Sequence, residues 1–201
     1  MMSDIPSAAF AVYRLLPSLS PSRGDYRTLL LSGSLRKIIR WQRSGSPEDR
    51  PTDVSAEWDG DPRCRPTEFP SPDPGAPVVS RRIADLLGEE LLAAGSLLPL
   101  RIDGRETDDW LLYLVERVVD CIDPRRSSKP TRSGEIKKAV FRADVVPVEL
   151  PAFRVPHAPG MVYWNGWAVQ RLVELLGDDL EARLIWSVDP SLTPHPNPWG
   201  I

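Results

Sequence analysis

Residues 161–188, MVYWNGWAVQRLVELLGDDLEARLIWSV, are the stretch whose reading decides the fold. Met161 to Trp164 have strand character, and Asn165 is a residue type that caps helices. Residues 166–176 carry apolar side chains at helical spacing, Gly177 supplies a stop, and residues 182–188 return to strand composition. The unit reads strand, turn, helix, strand. Its helical core, LVELLGDDL at 172–180, has an echo 89 residues earlier in IADLLGEEL at 83–91, matching position by position in residue character. One kind of supersecondary unit used twice is the expectation. The predicted fold is therefore α+β: a mixed, mainly antiparallel sheet with two similar amphipathic helices packed on it, plus an irregular proline-rich N-terminal arm.

Working outward from the echo, Val78 and Val79 form a short apolar lead, and Ser80 is an N-cap candidate. Ile83, Leu86, Leu87, Leu91 and Ala94 fall on one side of a helix that Gly95 can end. Residues 97–102 (LLPLRI) read as a strand, and Asp103-Gly104 is a turn signal that predicts a hairpin. Residues 110–122 (WLLYLVERVVDCI) fit two readings. Polar residues collected on one arc favour an amphipathic helix, whereas the preceding turn and the aliphatic and aromatic richness favour a long buried strand. Residues 125–134 are a polar loop, residues 136–146 have strand propensity, and Phe153-Arg154-Val155 is another short extended piece. The proline-rich residues 189–201 are expected to form a flexible tail.

Upstream, residues 10–16 (FAVYRLL) predict a first strand ended by the proline and serine cluster at 17–22. Residues 29–41 predict a basic helix with Leu31, Leu35, Ile38 and Ile39 at helical spacing and Ser34 as its cap. Proline makes up 22 of the 201 residues, roughly twice the usual share, and is densest between Pro47 and Pro77. Residues 46–77 are accordingly expected to be a surface loop pinned by Trp58 and Phe69. The predicted organisation is a small strand and basic helix at 1–45, this loop at 46–77, an α+β core at 78–188 and the tail at 189–201.

Length permits a sizeable core, and an apolar share of 41% is ordinary once the 13 glycines are added. A formal charge of −3 supplies no general field for nucleic acid or an anionic membrane, so neither is an expected partner. Arg36, Lys37, Arg40 and Arg43 are a local exception whose simplest reading is a solvated helix face. Cys64 and Cys121 are too few for a disulfide framework and lack zinc-site spacing. The N-terminus lacks a basic signal-peptide region, and no apolar run reaches the length of a membrane span. A cytoplasmic location is expected.

Specific catalytic signatures are absent from the sequence. It contains no P-loop, dinucleotide fingerprint, GxSxG or HExxH. His157 lies in a linker and His195 in the tail, so a histidine-based nucleophilic site has little to work with. Glu116, Asp120 and Asp123 are the candidates for a carboxylate cluster in a metal-dependent enzyme, although a salt-bridged surface is the commoner outcome for such spacing. Aromatic residues provide the remaining lead. Trp164 and Trp167 flank the Asn165-Gly166 turn, and as an exposed patch they would gain a polar rim from Asp178, Asp179 and Glu181. Asp108 and Asp109 belong to a second acidic cluster.

From Val78 onward four passages stand in a telling order: PVVSRRIADLL, LLPLRIDGRETDDWLLYLVERVVDCIDPRRS, PAFRV and MVYWNGWAVQRLVELLGDDLEARLIW. Together they resemble a family of immunity proteins from bacterial polymorphic toxin systems, small cytoplasmic antidotes encoded beside a toxin. The pattern departs from the family at Trp110-Leu111, where a tyrosine pair is usual. The resemblance implies a protein that binds and neutralises a cognate toxin or effector by occlusion, without catalysis, cofactor or metal. The partner-binding residues expected from the aromatic and acidic clusters themselves are Trp164, Trp167, Asp178, Asp179, Asp108 and Asp109. A homo-oligomer stays open, and the metal-dependent enzyme is the alternative.

Overall fold

The computed structural model describes residues 10–18, 26–31, 33–132 and 134–200. Of the predicted strand stop at 17–22, residues 19–22 lie outside them. Among the described residues the fold is α+β, with nine strands in two sheets and three α-helices. The strands are β1 (Ala11–Pro17), β2 (Thr28–Leu30), β3 (Val54–Asp59), β4 (Val78–Ser80), β5 (Gly95–Ile102), β6 (Arg105–Val115), β7 (Ala152–Val155), β8 (Ala158–Asn165) and β9 (Leu180–Ser187). The helices are α1 (Leu35–Ser44), α2 (Arg81–Leu92) and α3 (Gly166–Leu176).

A single sheet was expected, and two are found. The first runs β7-β8-β1-β9 and is antiparallel throughout. The second runs β2-β3-β5-β6-β4 and is mixed, because β3 lies parallel to β5. Strand alternation explains how both sheets bury two faces. In β6, Leu111, Tyr113 and Val115 point into one core cluster, whereas Leu112 and Leu114 point into another. In β8, Val162 and Trp164 join the first cluster, while Met161 and Tyr163 enter a third. The first cluster lies where one face of each sheet meets α2 and α3. α1 covers the far face of the second sheet, and the irregular chain around residues 119–148, together with Trp199, covers the far face of the first.

The two echo segments fold differently. Gly88 lies inside α2, whereas Gly177 adopts φ 53° and ψ −122° and ends α3. Ser80 caps α2 by accepting from the Ile83 N–H. Asn165 makes no such bond; its Nδ2 donates instead to the carbonyls of Pro147 and Leu150 at 2.8 and 2.7 Å. Leu86, placed on the apolar side by spacing, is exposed.

Residues 110–122 resolve as strand only to Val115, beginning earlier at Arg105, with the Asp103-Gly104 turn in the left-handed region at φ 50° and 78°. Residues 28–30 are strand rather than the start of α1, and Ser34 accepts from the Ser55 N–H instead of capping with its side chain. Residues 136–146 form no strand, only an isolated bridge between Ile122 and Phe141. The expected loop at 46–77 contains β3, whose alternating burial (Val54 and Ala56 in, Ser55 and Glu57 out) fits a strand. The segment 65–70 also serves both outer strands of the second sheet: Arg65 and Pro70 carbonyls accept from Arg27 and Leu29 of the β2 side, and the Glu68 carbonyl accepts from Ser80 in β4. Open sheet edges are thereby tied down.

The C-terminal segment is docked, contrary to expectation. The His195 N–H donates to the Leu184 carbonyl on β9, Trp199 is buried against Tyr163, and its Nε1 donates to the Ile136 carbonyl at 3.3 Å. Buried Arg14 donates to the Pro198 carbonyl at 3.1 Å and faces the Trp199 ring. A second buried arginine, Arg154, ties both sheets to α1. It donates to the carbonyls of Val115, Gln42 and Pro159 and stacks over Trp41 at 4.6 Å.

Candidate functional site

The structure disperses the six residues expected to meet a partner. Trp164 is 1% exposed. Pairing of Tyr13 with Trp164 fixes the register of β8 against β1, and the indole packs between Phe69 and Tyr113 at ring distances of 6.1 and 5.6 Å. Trp167 is half-buried and its Nε1 donates to the Val148 carbonyl at 2.9 Å. The turn between them is a core plug, which corrects the expected exposed aromatic patch. Asp179 is also buried and accepts a two-pronged hydrogen bond from Arg65, while its carbonyl accepts from Ser18 and Thr67. Its work is to hold segment 65–67 against the end of α3. Asp178 is exposed beside it.

Asp108 and Asp109 are exposed, and local geometry brings them to a different pair of aromatics. Where β5 meets β6, Pro99 pairs with Leu111 but Leu100 pairs with Thr107, so Asp108, Asp109 and Trp110 bulge from that ladder. Pro99 has no N–H to offer, and such bulges re-aim side chains. Trp110 pairs instead with Ser80 of β4 and meets Trp58 of β3 edge-on, with ring centres 5.3 Å apart at 81°. Arg27 lies over the Trp58 ring at 5.0 Å. Both indoles are half-buried at the rim of the α1-side core cluster. Each is followed or preceded in sequence by an exposed acid, Asp59 after Trp58 and Asp109 before Trp110. Arg81 donates to the Asp108 carbonyl at 2.8 Å and braces the bulge from α2.

Sequence parity could have found this pair. Trp58 falls in step with Val54 and Ala56, and Trp110 with Leu112 and Leu114. The prolines around β3 hid the first of these patterns. An aromatic pair with an adjacent guanidinium and an acidic rim suits protein recognition, since such rings give large contact area at low entropic cost and the charges select the partner.

The carboxylates of the enzyme alternative have separate occupations. Glu116 accepts from Arg50 at 2.8 Å and from Ser96. Burial would raise its carboxyl, but the Arg50 and Ser96 hydrogen bonds outweigh that and hold it below the usual range. Asp120 lies 3.9 Å from Arg142 and 3.8 Å from the His157 imidazole, and Asp123 caps the Arg125 N–H. Among the described residues no group of three or more His, Cys, Asp or Glu is placed to hold a metal ion. Among the same residues no helix is long and apolar enough to cross a membrane. Neither a protein-family model nor a curated protein matches the chain.

Proposed function

We propose that the protein is a cytoplasmic immunity protein that binds a cognate bacterial toxin or effector and neutralises it by occlusion. The observation that carries this reading is the Trp58–Trp110 pair, half-exposed at the rim of a closely packed sheet and edged by Asp59, Asp108 and Asp109. Binding hot spots concentrate in such tryptophans, and an acidic rim speeds encounter with a basic partner. The order of segments from Val78 onward, with its resemblance to immunity proteins, supports the same conclusion. On this reading α2 and α3 are two versions of one amphipathic unit, and the proline-rich segment before β4 is the arm that braces them.

Co-expression with the product of the neighbouring gene tests the proposal. The expected result is rescue of growth and a stable complex. Trp110→Ala should lower the unfolding midpoint, since it strips the edge-on contact with Trp58, and should weaken the complex of the still-folded protein at least about tenfold. Asp108→Asn with Asp109→Asn should slow association and flatten its salt dependence. A neighbouring product that is harmless when expressed alone overturns the reading.

A further inference from the structure

A second site lies against α1 and owes nothing to the toxin-binding reading. Between α1, the turn at 74–75 and the start of β8 is a cavity of about 150 Å³, with Leu35, Ile39 and Met161 among its apolar walls. Its base is built by close backbone approach. A Cβ at Gly75 would sit 2.1 Å from the Gly160 carbonyl oxygen, so only glycine lets the turn close on β8.

Two hydrogen-bond acceptors of this lining lack a donor. Gln42 is 5% exposed; its Nε2 donates to the Gly75 carbonyl at 2.6 Å, which fixes the amide, and its Oε1 is left buried without a partner. Buried polar atoms are rarely left so unless something else fills the role. Asp73, half-buried, has no hydrogen bond or ion pair to its carboxylate among the described residues, and burial pushes that carboxyl up. An occupant of the cavity must therefore bring donors on an apolar body.

The mouth asks for the opposite charge. A shallow depression adjoins the cavity, shares Ile39 and Arg43 with it, and is lined further by Arg36, Arg40 and Ser44. These three arginines are exposed and, among the described residues, none has an ion pair, whereas most arginines elsewhere on the surface sit against a carboxylate. Their spacing of about one helical turn presents them along one face.

We infer that this site binds a nucleoside phosphate, with the base in the cavity donating N–H groups to Gln42 and Asp73 and the phosphate held by Arg43 and its neighbours. Guanine fits best, because its ring N–H and exocyclic amino group are adjacent donors, and arginine is the side chain suited to phosphate. The same chemistry is presented by a free nucleotide and by a guanine within single-stranded RNA.

Calorimetric titration of the full chain with GMP, guanosine, inorganic phosphate and a short guanine-containing single-stranded RNA tests this. GMP should bind saturably, more tightly than guanosine or phosphate, and more weakly as salt rises. Asp73→Asn should weaken GMP at least about tenfold and leave phosphate unchanged, because it alters only the base contact. Arg43→Gln should weaken GMP and phosphate alike and leave guanosine unchanged. Tighter binding of the RNA through the same two residues assigns the source as nucleic acid; binding of GMP without RNA assigns it as free nucleotide. GMP binding no tighter than phosphate, or insensitive to both substitutions, overturns the inference. Should Asp73→Asn fail to fold, the Arg43 variant at the surface decides alone.

Discussion

Asn165 looks like a helix cap in the sequence and behaves as a clamp in the structure. It is fully buried, and its amide commits both N–H donors to the carbonyls of Pro147 and Leu150. Asn165→Ser, a neutral exchange at an ordinary N-cap, should therefore cost about 2–4 kcal/mol, because two buried acceptors lose their donors. Urea unfolding measures it, and a loss below a few tenths would contradict the clamp. Cys121 makes a second residue-level test. Burial pushes its thiol up to about 12, whereas in the unfolded chain it titrates near 8.5. Between those values the folded state keeps a proton that the unfolded state loses, so stability falls as pH rises. From pH 8.5 to 10 the slope should approach about 1.4 kcal/mol per pH unit, and Cys121→Ala should flatten it. Tyr113 and Tyr163, also raised by burial, extend the same trend at higher pH.

At the scale of elements, the echoed helices invite paired substitutions of opposite sign. Gly88 sits within α2 with open space where a Cβ would stand, so Gly88→Ala should stabilise by about 0.5–1 kcal/mol. Gly177 holds φ 53° and ψ −122°, a backbone region nearly exclusive to glycine, so Gly177→Ala should cost about 1–3 kcal/mol. Thermal unfolding of the two variants checks both signs. The same contrast explains what the sequence could disclose. Strand, helix and strand at 158–187 were legible because apolar spacing and terminal residues agree there. β3 was not, because prolines and turn formers flank a short strand whose parallel partner, β5, is paired with it more than forty residues later (Val54 with Leu100). The outcome at Trp164 was equally hidden: both faces of β8 meet a core, and the residues that cover the Trp164 ring, Phe69 and Tyr113, come from distant parts of the chain. Arg154 reads as a surface residue by charge, yet all four positions of β7 are buried.

For the whole molecule, the docked C-terminal segment is a structural part. Ending the chain after Val188 should cost about 3–5 kcal/mol, since it strips Trp199 from its seat and leaves buried Arg14 without the Pro198 carbonyl. Trp199→Ala should account for most of that loss in the same denaturant experiment, and a truncated chain of unchanged stability would show the segment to be dispensable. The order of strands has a further result for how the chain comes off the ribosome. β1 is made first, but it lies between β8 and β9, which are made last. The strands of the second sheet are all present once Val115 has emerged, so that half can assemble while β1 is still waiting for its neighbours. A nascent chain arrested after Val115 should hold β3 to β6 against protease and leave β1 open to cleavage, so the earliest made of the described strands is among the last to find shelter.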